Sequence, residues 1–416
     1  MKYYIILLFL FIPLVLWSQD TTKTTTGSAG QSFNPDISLI IDGFYHGDSS
    51  REGITHVFEA ISGFGHECAE EHHHGPEKGF NMNHMELYFS ANADPYFKGW
   101  GIAAIEEEGA EMEEAVIQTT SLPYGLQVKA GKFFSDIGRI NPQHSHSWDF
   151  TDQPLIYRLT LGEHGLNDKG AQVSWLAPTN FYLLTGAEAF QGNNETMFNY
   201  LGDESGLPVK SGPRIFTGWL KFAPNIDNPN HALQFGLFSG RGVQQEEHDG
   251  NADGIMDHWL NGYSKFYGAD LVYKYDDLRA YGVGDIIFQG EYFQRQKDLT
   301  VENHDLNAAL IGKHKMEKQD GYYLQATYGF LERWRLGVRW EQIGLINEID
   351  LPDGTSESPD GSSRLALMTD WTLSEFSRLR IQCAQGNYEL SGKDKKVTEF
   401  YLQLQISLGT HGAHKF

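Results

Sequence analysis

VTEFYLQLQISL (397–408) puts Phe400, Leu402, Leu404, Ile406 and Leu408 on one parity, and Tyr401, Gln403, Gln405 and Ser407 on the other. Successive side chains of a strand point to opposite faces, so this is a strand with one oily and one wet side. A soluble sandwich could carry such a strand. In an outer membrane the oily side meets lipid and the polar side lines a lumen. Fifteen comparable stretches precede it: 36–44, 80–92, 97–107, 111–119, 124–134, 168–176, 180–191, 214–224, 231–241, 264–275, 283–296, 320–330, 333–344, 362–374 and 377–387.

The connections separate the two architectures. Those at 93–96, 121–125, 177–180, 331–332 and 374–376 are short. Those at 45–79, 135–167, 192–213, 242–263, 297–319 and 345–361 are long and polar, with 107–111 and 388–396 the modest members of the long set. Short and long links alternate, as tight periplasmic turns and extracellular loops do around a transmembrane barrel. A sandwich gives no reason for that alternation. The sequence therefore predicts an all-β, transmembrane antiparallel barrel of about sixteen strands spanning 36–416 with its C-terminal tail.

Composition agrees. Of 416 residues only 40% are hydrophobic, too few for a bundle of membrane helices, while 13% aromatics and 45 Gly suit girdles and turns. Residues 1–19 read as a cleavable signal peptide, with Lys2 ahead of an apolar run from Ile5 to Trp17. Residues 20–35, rich in Thr, Ser and Gly, read as a disordered lead-in. Export to the outer membrane of a Gram-negative-type cell is the expected localisation. A formal charge of −23 excludes a nucleic-acid partner, which needs a basic face. No phosphate loop, GxSxG or HExxH occurs, so no enzyme is expected.

Parity assigns faces. Met85, Leu87, Phe89, Phe216, Leu220, Phe222, Ile286, Phe288, Tyr292, Trp334, Leu336, Val338 and Trp340 should meet lipid. Glu86, Glu188, Asp270, Glu291, Arg335, Arg339, Arg364, Arg378 and Arg380 should point inward as pore-lining charges, with His84, Glu341 and Asp370. An Arg facing lipid at the midplane costs about 2–4 kcal/mol, which forces this partition. The inward charges either set up a transverse field that orients solutes or pair and fill the interior.

TTSLPYGLQVKAGKF (119–133), NPQHSHSWDFTDQP (141–154), GLNDKGAQVSWLAPT (165–179) and the closing LGTHGAHKF (408–416) resemble outer-membrane barrels named as zinc-regulated, some of which also bear the name TonB-dependent receptor. These segments cover about a quarter of the chain. A TonB-dependent receptor carries a plug domain ahead of a larger barrel. Residues 20–35 leave no room for one, so the resemblance implies a porin-like barrel linked to zinc.

Three tracts suggest cations. In HECAEEHHHGPEKGFNMNH (66–84), His66, Cys68, His72, His73, His74 and His84 offer imidazole and thiolate, the preferred ligands of zinc. The tract is a metal-collecting loop or a solvated one. His144 and His146 sit as His-x-His in a loop long enough to fold into the lumen, as a constriction, a metal contact or ordinary packing. DGNADGIMD (249–257) spaces Asp249, Asn251, Asp253 and Asp257 like a calcium loop, although Leu260 stands where the bidentate carboxylate belongs. Zinc and calcium are thus the expected ions. The expected partners are outer-membrane lipid and small polar solutes or metal ions, with a homotrimer as the assembly. The sequence predicts a passive porin-like channel connected with zinc acquisition, or alternatively a metal-binding barrel plugged by its loops.

Overall fold

The computed structural model describes residues 35–65, 75–105, 109–194, 196–202, 206–249 and 256–409. His66, Cys68, His72, His73, His74, Asn251 and Asp253 lie outside the described residues.

Sixteen long strands form one closed antiparallel sheet: β1 Asp36–Asp48, β2 Gly79–Asn92, β3 Phe97–Ile105, β4 Ala110–Thr119, β5 Leu126–Phe134, β6 Asn167–Leu176, β7 Tyr182–Phe190, β8 Ile215–Ala223, β9 His231–His248, β10 His258–Tyr275, β11 Ile286–His304, β12 His314–Leu331, β13 Trp334–Asp350, β14 Ser362–Ser374, β15 Ser377–Leu390 and β16 Lys393–Gly409. Each pairs with its neighbour in sequence, and β1 closes on β16 from Ser38↔Gly409 to Asp48↔Glu399. Closure leaves no sheet edge, the condition for a sheet to sit in hydrocarbon.

The links at 242–263, 297–319 and 345–361 are partly strand: 242–248 and 258–263, 297–304 and 314–319, and 345–350 prolong the wall, and Ser356–Glu357 adds a short pairing to β13. The cause is the solvent: Val243 to His248 is polar after its first residue, and Lys297 to His304 sets apolar Leu299 and Val301 beside Lys297 and Asn303 on one parity and carries only polar residues on the other. Beyond the lipid nothing imposes alternation, so hydrophobic pattern stops marking a strand that hydrogen bonding still extends.

Parity sorts the faces as expected. Phe216, Leu336, Leu367 and Leu404 are exposed on the outer wall, whereas Glu86, Glu188, Glu291, Arg339, Arg364 and Arg380 are buried inside. Trp334 and Trp371 stack at 5.5 Å beside the short turns, in the manner of an interfacial girdle.

The interior is not uniformly polar. Phe133, Phe190, Trp219, Phe238, Phe266, Phe293, Tyr323 and Tyr388 also project inward and are buried. They meet two segments folded into the barrel. One is 54–64, with helix α1 Ile54–Glu59 and buried Ile54, Val57, Phe58, Ile61 and Phe64. The other is 155–161, helix α2 Leu155–Leu161.

Leu367 lies in the apolar band opposite Val338 and Cys383, while Thr300 lies on the long-loop extension of β11. Leu367→Arg should lower unfolding free energy by about 2–4 kcal/mol, as for a cation near the midplane. Thr300→Arg should stay within about 0.5 kcal/mol. Urea titration in lipid vesicles, read by the gel-mobility shift of the folded barrel, checks both.

Candidate functional site

The segment 135–166 leaves β5, crosses the lumen and returns to β6. Asn141 ties its two ends: its Nδ2 donates to Ser135 O (2.8 Å) and Leu166 O (3.1 Å), and its Oδ1 accepts from Leu166 N–H (2.7 Å). A buried carboxylate anchors each successive stretch. Glu188 accepts from Asp136 N–H (2.9 Å) and from the hydroxyls of Ser135 and Thr217. Glu291 accepts from Arg139 N–H (2.7 Å), Ile140 N–H (3.1 Å), Tyr157 O–H (2.7 Å) and Tyr323 O–H (2.5 Å). Gly138 sits between them at φ +58°, and a Cβ there would collide with Tyr157 Oη and Glu291 Oε2.

Further on, the loop meets the arginines. Asp149 pairs with Arg335 (2.9 Å), which also takes Asp370 (2.6 Å). Asp152 receives Arg339 (2.7 Å), Arg364 (2.5 Å) and Gln382 (2.6 Å). Arg364 holds Glu399 through Nε and Nη2 (2.9 and 3.0 Å) and Glu341 through Nη1 (2.9 Å), and Glu341 accepts from Leu155 N–H (2.8 Å). Arg378 and Arg380 donate to the carbonyls of His146 (2.7 Å) and Trp148 (2.9 Å). Burial opposes charge on Asp152, yet Arg339 and Arg364 keep its carboxyl well below the ordinary range.

The predicted inward charges thus fall into two groups. Arg339, Arg364, Arg380, Glu86, Glu188 and Glu291 are buried and committed to these contacts. Arg335 and Arg378 are half-buried nearer the short turns, and Asp270 is buried facing the same half.

A second constellation lies where the loop passes β2 and β4. His84 and Glu86 share the inner face of β2. Glu86 Oε2 is 3.0 Å from His146 Nδ1, 3.4 Å from His144 Nδ1 and 3.6 Å from His84 Nε2. His144 also lies 3.3 Å from Glu113 and 3.5 Å from Glu114, and its ring stacks on His146 at 5.7 Å. Burial works against its charge, but Glu113, Glu114 and Glu86 hold the His144 imidazolium well above its ordinary value. His84 from one predicted tract and His144 and His146 from the other therefore meet here, on a carboxylate assigned only to the pore.

At the long-loop rim, Asp257 contacts His258 (2.6 Å), whose ring stacks on His248 (4.9 Å) and His304 (4.8 Å) across three adjacent strands. Asp249 follows His248 directly. Sequence spacing gave no sign of this ladder, because register alone aligns it. The apolar helices inside the barrel did leave a trace: Ile54, Val57, Phe58, Ile61 and Phe64 recur at helical spacing within a segment otherwise taken as loop.

No protein-family model matches the chain. Among curated proteins it is 36% identical over 394 residues to an uncharacterized protein of Aquifex aeolicus (strain VF5), covering 93% of this chain and 81% of that one. The chain belongs to the family of that Aquifex protein. The outer membrane channel DcaP of Acinetobacter baumannii superimposes with a TM-score of 0.54 at 9% identity, over 91% of this chain and 99% of that one. OmpT of Vibrio cholerae in its trimer form gives 0.52 at 12%, over 90% and 99%. An anion-selective porin of Comamonas acidovorans gives 0.52 at 12%, over 90% and 100%. The chain thus has the porin-like barrel fold of these outer-membrane proteins.

Asp152→Ala should cost about 3 kcal/mol at neutral pH, since it takes a shared carboxylate from buried Arg339 and Arg364, although Arg364 keeps Glu399 and Glu341. The depressed carboxyl stabilises the fold above the unfolded pKa of about 4 and loses that contribution as pH falls through its lower folded value. The urea-midpoint gap between wild type and Asp152→Ala should therefore narrow below about pH 4.

Proposed function

We propose that the chain is an outer-membrane channel through which small polar solutes diffuse passively, with segment 135–166 as its constriction. The observation that carries this is the placement of that segment: it is bonded within the lumen to β2, β7, β11, β13, β14 and β15. Below it, toward the short turns, the partly accessible inner wall includes Arg335 and Arg378, with Lys221 and Lys274. A selective passage at this level would sort solutes by size and by these charges. The names of two structural neighbours, an outer membrane channel and an anion-selective porin, support this reading. It assigns the chain no catalysis. A homotrimer is the proposed assembly, supported by the trimer form of the Vibrio OmpT structure. Divalent metal, zinc first, is the proposed cargo or regulator, supported by the histidines gathered at the rim and beside the loop.

A second reading has its own observation. The apolar packing of 54–64 and 155–161 against inward aromatics, with Phe266 and Phe293 stacked at 5.1 Å and Tyr157 on Phe293 at 5.8 Å, favours a plugged metal-binding barrel.

Planar-bilayer recording separates them. On the channel reading, wild type gives small discrete steps, and Asp149→Ala with Asp152→Ala raises single-channel conductance by roughly twofold or more. Silence from wild type with steps only from the double variant supports the plug. Silence from both removes the channel.

A further inference from the structure

The His and Glu side chains between β2, β4 and segment 135–166 have the composition and spacing of a metal site. His84, Glu86 and His146 each bring one ligand atom to within 4.8 Å of the others, and all three residues are buried. Glu86, Glu113 and His144 form a second such set through the same Glu86. Two imidazoles and a carboxylate form a ligand set that zinc takes in open sites, where a fourth position is left to water or an exchangeable group. At metal–ligand lengths of about 2.0–2.2 Å, tetrahedral ligand atoms stand roughly 3.3–3.6 Å apart. Glu86 already lies 3.0 Å from His146 and 3.6 Å from His84.

Two buried atoms in the cluster lack what protein groups alone would supply. Among the described residues His84 Nε2 has no hydrogen-bond partner, its residue is only 7% exposed, and the Glu86 carboxylate oxygen stands too far for a hydrogen bond at 3.6 Å. Glu113 Oε2 is buried without a donor in hydrogen-bonding geometry. Unsatisfied buried polar atoms are costly and therefore rare. A cation among them would answer both. The charges point the same way: the carboxylates of Glu86, Glu113 and Glu114 all converge on His144. A divalent ion would offset part of that negative charge, and because zinc takes imidazole in its neutral form, binding releases any proton the ligands carry.

The geometry points to a divalent transition-metal site, zinc by its ligand set, formed by His84, Glu86 and His146, with His144 and Glu113 flanking it. Its ligands come from the wall and from the loop. The ion therefore staples the stretch 144–148 to β2, beside the carbonyls that Arg378 and Arg380 hold from the other side. The site itself rests on this geometry alone; its effect on passage rests on the channel reading.

The test is calorimetric titration of Zn²⁺ into the full chain, refolded in detergent and stripped with chelator, in two buffers of different ionisation enthalpy. Wild type should bind zinc with proton release. In a His72→Ala, His73→Ala, His74→Ala, His258→Ala background, which removes other histidines, one equivalent should persist. Adding His84→Ala and His146→Ala should weaken that equivalent at least about 100-fold, and the shape-conserving Glu86→Gln about 10-fold or more. Unshifted gel mobility of each variant establishes that the barrel is folded. No zinc binding in the four-histidine background, or affinity there indifferent to both His84/His146 and Glu86 changes, overturns the site. Bilayer conductance is independent of these titrations, so a bound ion in a silent barrel would reject the channel and keep the site.

Discussion

A charge on the inner wall of a barrel can be matched only from inside, because hydrocarbon on the other side offers neither water nor counter-ion. Everything about segment 135–166 follows from that constraint. Asp149 and Asp152 answer Arg335, Arg339 and Arg364, while Glu188, Glu291 and Glu341 each accept backbone N–H groups of the same segment alongside side-chain donors. Wall and loop are complementary in both directions. Neither would be satisfied without the other, since a buried guanidinium or carboxylate left alone loses far more than its partner gains.

This complementarity is layered along the barrel. Toward the long loops, inward aromatics and the apolar faces of 54–64 and 155–161 make a hydrophobic core of the kind found in soluble domains. Arg295, fully buried, closes it by donating to Gly63 O (2.9 Å) and Leu159 O (3.3 Å), one from each inserted segment. Toward the short turns the wall becomes basic and more accessible. The chain's strong negative charge is thus not mirrored by the cations Arg335, Arg378, Lys221 and Lys274 on this part of the wall.

The sheet was legible because lipid enforces a two-residue period wherever it touches the strands, as in Val397–Leu408. The same physics explains where legibility ended. His231–His248, Ile286–His304 and Trp334–Asp350 outrun their predicted ends because alternation has no cause above the membrane. Inward charge was readable residue by residue at Glu86, Arg339 and Arg364; what each would meet was not. Asp149 and Asp152 lie far from their arginine partners in sequence, and no local pattern specifies such a pairing. The histidines show both sides of this. His-x-His marked 144 and 146 as a chelating pair, but only the fold brings His84 and Glu86 to them. Asn141, which closes the loop on itself, carried no signal beyond its residue type.

The partners of that loop also set an order of assembly. Thr151 bonds Gln403 across 252 positions of chain, and Gln382 across 231. Those glutamines belong to the last two strands of the chain, so the loop is fully bonded only when the whole ring is present. Until then its anchors are left to water. Docking then expels that water in a late step, after the wall is complete.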